Sequence, residues 1–418
     1  MTADPLTRSI VSDVRSLLLD GQVRSVYQPI VDLDTGRTVA VEALARGPEG
    51  PLQSPGALFG AAAAAGLVDE LEWACRTAAL QGALDGGLCA SIALFVNVES
   101  AQLGRAVPAA LRALEASAQQ RLHVVLELTE RDLERRPAEV LAATRSARAA
   151  GWGVALDDVG AVPASLALMP LIRPDVVKLD MHLVQDRQTV EVAAIASAVA
   201  SYAEESGALV LAEGIETELH RERALALGAT LGQGWLFARP APLADLDVPA
   251  VARPLALLGE PDEDDYASPF NRVGGRLPLR IARKSQLLAM SRHIERQAEI
   301  QPNPPILLAA FEHADFFTPA TARRYAAFAS RCPLVGAFGV DLPGEPAPGV
   351  RGTPIDVEDP LADEWTVVVL SPHFAAALLA RDLGEPRRTP DRRFEFALTH
   401  DRRLVTAAAR SLATRIAG

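Results

Sequence analysis

Cysteine is scarce: only Cys75, Cys89 and Cys332 occur in 418 residues, at a spacing that matches no paired metal motif. That scarcity excludes a disulfide scaffold and a thiolate zinc site, and it predicts reduced, mostly buried thiols in a cytoplasmic protein. No apolar run approaches the ~20 residues that a membrane-spanning helix needs, so no membrane association is expected. Met1 to Ser9 carries Asp4 and lacks an apolar signal core. Cations are outnumbered, 41 Lys and Arg against 53 Asp and Glu, for a net charge of -12. A surface that tracks a phosphate backbone needs clustered Lys and Arg, so polymeric nucleic acid is excluded as a partner. A small phosphodiester is not excluded, because metal ions can supply positive charge locally. What is present is a globular composition, 49% hydrophobic and 22% charged, over a length that suits two or three domains.

Short β-rich segments alternate with Ala- and Leu-rich stretches through the first half of the chain. Strands are predicted at 26–31, 39–44, 94–98, 124–128, 153–156, 176–179, 209–212 and 234–237, and helices at 54–65, 69–84, 137–150, 189–205 and 217–227. Eight strands with intervening helices predict an α/β fold of the closed (β/α)8 barrel type over residues 5–250. Asp34-Thr35-Gly36 leaves no room for a helical crossover between the first two strands, so that pair is expected to be antiparallel. The acidic, proline-containing stretch 259–265 marks a linker, placed at 251–274. A smaller α/β domain is predicted at 275–418. Its helices are expected at 280–300, 319–331, 373–382 and 401–416, and its strands at 306–311, 334–340, 366–370 and 394–398. The last helix carries an apolar stripe of Leu404, Ala408, Leu412 and Ile416.

The polar residues of the first domain fall in a pattern. Glu42, Asn97, Glu127, the pair Asp157-Asp158, Lys178 and Glu213 each end a predicted apolar strand or stand near its end. In a barrel those ends converge on the face where active sites form. Converging carboxylates repel one another unless cations lie between them, which calls for hard divalent ions such as Mg²⁺ or Mn²⁺. Adjacent aspartates can splay toward two ions, the arrangement that cleaves phosphodiesters. Taken singly, a strand Glu is commonly an edge residue and an Asp-Asp pair a turn; the ordered set is what points to chemistry.

The motifs Tyr27-Gln28-Pro29-Ile30-Val31, Glu42-Ala43-Leu44-Ala45-Arg46, Val96-Asn97-Val98, Glu127-Leu128-Thr129-Glu130, Asp157-Asp158-Val159-Gly160, Lys178-Leu179-Asp180, Ala212-Glu213-Gly214-Ile215-Glu216-Thr217 and Gln233-Gly234-Trp235-Leu236-Phe237 resemble, in order and spacing, the signatures of EAL-domain cyclic di-GMP phosphodiesterases. The resemblance implies that Glu42, Asn97, Glu127 and Asp157 hold one metal ion, with Asp157 bridging and Asp158 on the second. Glu213 then joins the second site or acts as general base, and Lys178 stabilises water or phosphate. Gln233 supports that site, and Gln28, Leu44, Arg46 and Asp180 contact the dinucleotide, Arg46 on a phosphate. Thr129, Glu130 and Glu216 stand behind the ligands. The implied reaction is hydrolysis of cyclic di-GMP to linear pGpG, in a homodimer formed through the barrel. One departure is the loop after the aspartates, Val159-Gly160-Ala161-Val162-Pro163-Ala164-Ser165, where the family usually carries Phe-Gly-Thr-Gly-Tyr-Ser-Ser. It keeps open a receptor that binds cyclic di-GMP without efficient turnover. A metal-dependent barrel enzyme acting on another substrate is the weaker third reading. No Gly-Gly-(Asp/Glu)-Glu-Phe signature of dinucleotide synthesis occurs.

In the second domain, Phe316-Phe317-Thr318-Pro319-Ala320-Thr321, Leu334-Val335-Gly336-Ala337-Phe338-Gly339, Glu364-Trp365, Ser371-Pro372-His373-Phe374 and Leu398-Thr399-His400-Asp401 resemble the DICT domain, which implies a sensory, regulatory role. His373 and His400 are expected at helix starts and not on a metal. Trp365 and Phe374 are expected in the core. Arg387, Arg388, Arg392 and Arg393 read as a solvated loop.

Overall fold

The computed structural model describes residues 14–98, 107–129, 135–160, 166–249, 254–259, 267–301, 303–386, 389 and 391–416. They form two compact units, one built on a closed barrel and one on a seven-stranded sheet. The barrel strands follow chain order: β1 (Arg24–Asp32), β2 (Thr38–Arg46), β3 (Ala93–Asn97), β4 (His123–Thr129), β5 (Gly153–Val159), β6 (Val176–Leu179), β7 (Leu209–Ala212) and β8 (Leu231–Gln233). As the short connection predicts, β1 is antiparallel to β2, and it is also antiparallel to β8. The turn is set locally: the Asp32 carboxylate accepts from both the N–H and the hydroxyl of Thr35 at 2.7 Å, and Gly36 takes φ +67. Around the strands run α1 (Pro55–Ala65), α2 (Val68–Asp85), α3 (Ala109–Arg121), α4 (Pro137–Ala149), α5 (Val190–Ser206) and α6 (Glu218–Ala226). The start of α1 is encoded by Ser54, whose side chain accepts from the Ala57 N–H, and by Pro55 in the first turn; left-handed Gly66 ends it.

Ile30, Ala40, Ala93, Phe95, Val125, Ala155, Val176, Leu211 and Leu231 form one buried cluster with members from every barrel strand, which makes it the lumen. Leu255 and Leu257, from the stretch that the sequence reading places in the linker, pack against this cluster. The strand expected at 234–237 is displaced: β8 ends at Gln233, and residues 234–237 form a turn. The thiols are less buried than expected, Cys332 buried, Cys75 half-buried and Cys89 exposed. Among the described residues no helix is long and apolar enough to cross a membrane.

The second unit contains β9 (Arg280–Arg283), β10 (Ile306–His313), β11 (Val335–Val340), β12 (Arg351–Pro354), β13 (Glu364–Ser371), β14 (Phe374–Asp382) and β15 (Arg393–Thr399), with α7 (Lys284–Glu295), α8 (Pro319–Ala329) and α9 (Arg402–Ala413). The strand order is β12-β11-β10-β13-β14-β15-β9. Three expectations are corrected. Residues 374–382 form a strand, not a helix: Phe-Ala-Ala-Ala-Leu-Leu-Ala has helical propensity, but it pairs with β13 on one side and β15 on the other. Residues 280–283 are an edge strand preceding α7. A short parallel strand, β12, lies in the Pro- and Gly-rich region, where no strand was expected. His373 accordingly stands in the β13–β14 turn, whereas His400 immediately precedes Asp401, the cap of α9.

Candidate active site

Strand side chains alternate between faces, so a residue two positions beyond a lumen residue also faces the lumen, one layer further along. Counting two residues toward the C-terminal ends of the parallel strands takes Ala40 to Glu42, Phe95 to Asn97, Val125 to Glu127, Ala155 to Asp157, Val176 to Lys178, Leu211 to Glu213 and Leu231 to Gln233. On antiparallel β1 the count runs backward, from Ile30 to Gln28, whose register partner is Glu42. Apolar residues give way to polar ones in one step on all eight strands.

Lys178 lies at the centre. Its Nζ is 2.6 Å from Oε1 of Glu127, 2.8 Å from Oε1 of Glu213, 3.0 Å from Oδ1 of Asp157 and 3.8 Å from Oε1 of Glu42. Oε2 of Glu127 is buried with no hydrogen-bond partner. Glu42 is fixed by two amides: Asn97 Nδ2 donates to Oε1 at 3.2 Å and Gln233 Nε2 to Oε2 at 2.7 Å. Burial runs from the floor outward, the side chains of Glu127 and Lys178 being 0% and 1% exposed, those of Asp157 and Glu213 14% and 22%. Burial, reinforced by Glu42, holds the Glu127 carboxyl well above the usual carboxylate range. Burial likewise pushes Glu213 up to about 8. For Lys178 burial acts downward, but Asp157, Glu127, Glu213 and Glu42 outweigh it, and its ammonium is held well above the ordinary lysine range.

Consecutive strand residues ordinarily point apart, yet Asp157 and Asp158 serve one face. The β5–β6 ladder slips between Leu156 and Val159, and Asp158 takes φ +57. This is a bulge closed by a left-handed residue, a device that re-aims a side chain. As a result Asp157, Asp158 and Glu213 each offer a carboxylate oxygen within 4.8 Å of the others.

The structure therefore brings together Glu42, Asn97, Glu127, Asp157, Asp158, Lys178, Glu213 and Gln233. The remaining expected residues that are described make contacts of their own. Gln28 is buried and donates to the Ala238 carbonyl at 3.2 Å. Leu44 and Thr129 line a neighbouring hollow of about 190 Å³ that also borders Asn97. Half-buried Arg46 donates to the Ala45 carbonyl. Asp180 caps the short helix Met181–Gln185 through the His182 N–H. Glu216 is exposed, and its backbone N–H donates to His220 Nδ1. Glu130 and residues 161–165 of the altered loop lie outside the described residues. The glycine after Gln233 escaped the sequence reading as a site determinant: a Cβ on Gly234 would fall 2.1 Å from the Ile215 carbonyl oxygen.

Residues 11–240 match the EAL domain and residues 273–383 the sensory domain in diguanylate cyclases and two-component systems, DICT. The cyclic di-GMP phosphodiesterase RocR of Pseudomonas aeruginosa is 34% identical over 242 residues, 56% of this chain and 61% of RocR. The cyclic di-GMP phosphodiesterase NbdA of the same species is 31% identical over 245 residues, 56% of this chain and 31% of NbdA. The chain thus spans less than two thirds of the length of these curated relatives. Among solved structures, the EAL enzyme Bd1971 in its cGMP-bound form covers 58% of this chain and 69% of its own, with 22% identity and a TM-score of 0.50. The chain belongs to the EAL-domain family of cyclic di-GMP phosphodiesterases and carries a C-terminal DICT sensory domain.

Proposed function

We propose that the barrel hydrolyses cyclic di-GMP to linear pGpG with two divalent cations, Mg²⁺ or Mn²⁺. The observation that carries this reading is the polar layer, whose several carboxylates surround a single ammonium. RocR and NbdA, both named as cyclic di-GMP phosphodiesterases, support the substrate. The residues fit hard cations. The charged donors are oxygens, Oε2 of Glu127 is buried without a partner, and the Lys178 ammonium sits among the carboxylates as a stand-in cation. Glu42, Asn97, Glu127 and Asp157 would hold one ion, and Asp157, Asp158 and Glu213 the other. Bound there, the ions would acidify a water and offset charge on the phosphodiester.

The chain's own groups do the rest. Glu213, the most accessible of the four carboxylates around Lys178, takes a proton from the attacking water. The water oxygen bonds to phosphorus, the bond to O3′ breaks, and the proton is returned to that leaving oxygen. Lys178 donates to a phosphoryl oxygen as its charge grows. Arg46 holds the phosphate that does not react, Gln28 and Leu44 lie against the dinucleotide, and Asp180 bounds its edge. The test is to incubate the full chain with cyclic di-GMP and Mn²⁺ or Mg²⁺ and to measure pGpG by chromatography and binding by calorimetry. Glu42→Ala and Asp157→Ala are expected to lower turnover by at least about 100-fold with circular dichroism unchanged. Undiminished turnover in both variants would overturn the metal assignment. Tight binding with no pGpG from the parent chain would make the protein a receptor.

A further inference from the structure

The second unit holds a cavity of about 300 Å³ whose lining includes Lys284, Arg292, Glu312, Phe316, Trp365 and Arg392. Arg392, expected in a solvated loop, is instead 2% exposed. Its guanidinium donates to the carboxylates of Glu312 and Asp382 and lies 4.9 Å from the ring centroids of both Phe316 and Phe394. Glu312 reaches it from a distorted strand. The β10–β11 ladder slips between Ala310 and His313, and Glu312 takes φ +60. A left-handed non-glycine costs roughly 1–2 kcal/mol and persists where the surroundings enforce it, most often at functional sites. The bulge in β5 re-aims Asp158 in the same manner.

The cavity's charges do not cancel. Arg324 is paired with Glu295 at 2.8 Å, and Arg392 with Glu312 and Asp382. Half-buried Lys284 and exposed Arg292 have no acidic partner within ion-pair distance among the described residues. Lys284 Nζ stands 4.7 Å from the Phe316 ring centroid. Two further polar atoms of these residues are buried without hydrogen-bond partners, Oε1 of Glu312, an acceptor, and Nε of Arg392, a donor. Buried polar atoms are rarely left unpaired in a finished structure, so these two call for a complement.

We infer that this cavity binds a small planar nitrogen heterocycle carrying a carboxylate or phosphate. The acid group meets Lys284 and Arg292 at the rim, the ring lies along Phe316 and Trp365, and a ring N–H and ring acceptor complement Glu312 and Arg392. A volume of this size is at the lower end for small-molecule sites, which favours one or two fused rings over a dinucleotide. The sensory description of the matching domain is consistent with such a ligand.

The experiment is calorimetric titration of the full chain, in EDTA, with pterin-6-carboxylate and with guanosine monophosphate, each beside its neutral counterpart, 6-methylpterin or guanosine. At least one acid is expected to bind with one-to-one stoichiometry and at least about tenfold more tightly than its neutral counterpart. That binding should weaken about tenfold or more in Lys284→Ala and Arg292→Ala, whose side chains are not buried, and should be unchanged in Asp157→Ala, which separates this cavity from the barrel. Trp365→Leu should weaken acid and neutral forms together. Failure of both acids to bind below millimolar concentration would overturn the inference, as would affinity indifferent to Lys284→Ala and Arg292→Ala.

Discussion

Lys178 would be among the costliest side chains in the barrel to bury alone, and so would each carboxylate around it. Removing one partner of a buried ionic cluster typically costs about 3–5 kcal/mol, because the charge left behind keeps its desolvation penalty. Lys178→Met is therefore expected to lose on the order of 3 kcal/mol of stability in the metal-free protein. Mn²⁺ should then stabilise the variant more than the parent, since the ion would take over the counter-charge. Melting curves with and without Mn²⁺ decide it: equal metal-free stability of variant and parent would mean that Lys178 is not the counter-ion. The carboxylate layer was legible in the sequence because each member interrupts an apolar strand. Period 2 then carries it from a lumen residue to the next layer, as from Val125 to Glu127. Arg392 and Glu312 were not legible. An arginine among arginines reads as solvated, and only the tertiary fold brings Glu312, 80 positions away, to its guanidinium.

At the scale of elements, β8 spans only three residues and its end is set by one glycine. Ile215 donates its N–H to the Gln233 carbonyl at 3.0 Å and accepts from the Leu236 N–H at 3.0 Å, lacing the turn to the residues after β7. A Cβ on Gly234 would meet the Ile215 carbonyl oxygen at 2.1 Å and its nitrogen at 2.4 Å, backbone atoms that cannot swing away. Gly234→Ala is expected to destabilise by about 1–3 kcal/mol and to lower kcat by about 100-fold, because Gln233 carries the hydrogen bond that orients Glu42. Gly56→Ala, where nothing lies within 4 Å of the added Cβ, is the control and should be neutral. If the two variants behave alike in melting and turnover, β8 does not depend on this contact. The barrel strands were readable because they are short apolar runs with a polar end. β14 was not, because residues 375–380 are all buried. A strand covered on both faces loses its alternation, and its alanines then read as helix.

At the scale of the molecule, the negative charge that the composition announces is handled differently in each unit. The barrel concentrates its carboxylates around Lys178, whereas the second unit also buries acids singly. Glu364 is 1% exposed; it accepts from the Ser268 hydroxyl and, at 3.1 Å, from the Phe270 N–H, with Arg415 and Asp359 the nearest charges acting on it. Burial pushes it up to about 7, against those donors. Glu312 is raised to about 7 as well, again chiefly by burial. Unfolded glutamate titrates near about 4.3, so between that pH and 7 the folded unit binds more protons than the unfolded chain. Stability is therefore full below pH ~4.3 with respect to these groups and falls as pH rises through 7, by on the order of 3 kcal/mol for Glu364. Pulsed hydrogen exchange of peptides covering β13 and β14 along a urea series, at pH 5, 6, 7 and 8, reports this unit by itself. The midpoint should fall across that range in the parent chain and fall less in Glu364→Gln, which cannot ionise. An identical slope in parent and variant would show that Glu364 does not titrate across this range and would overturn the assignment.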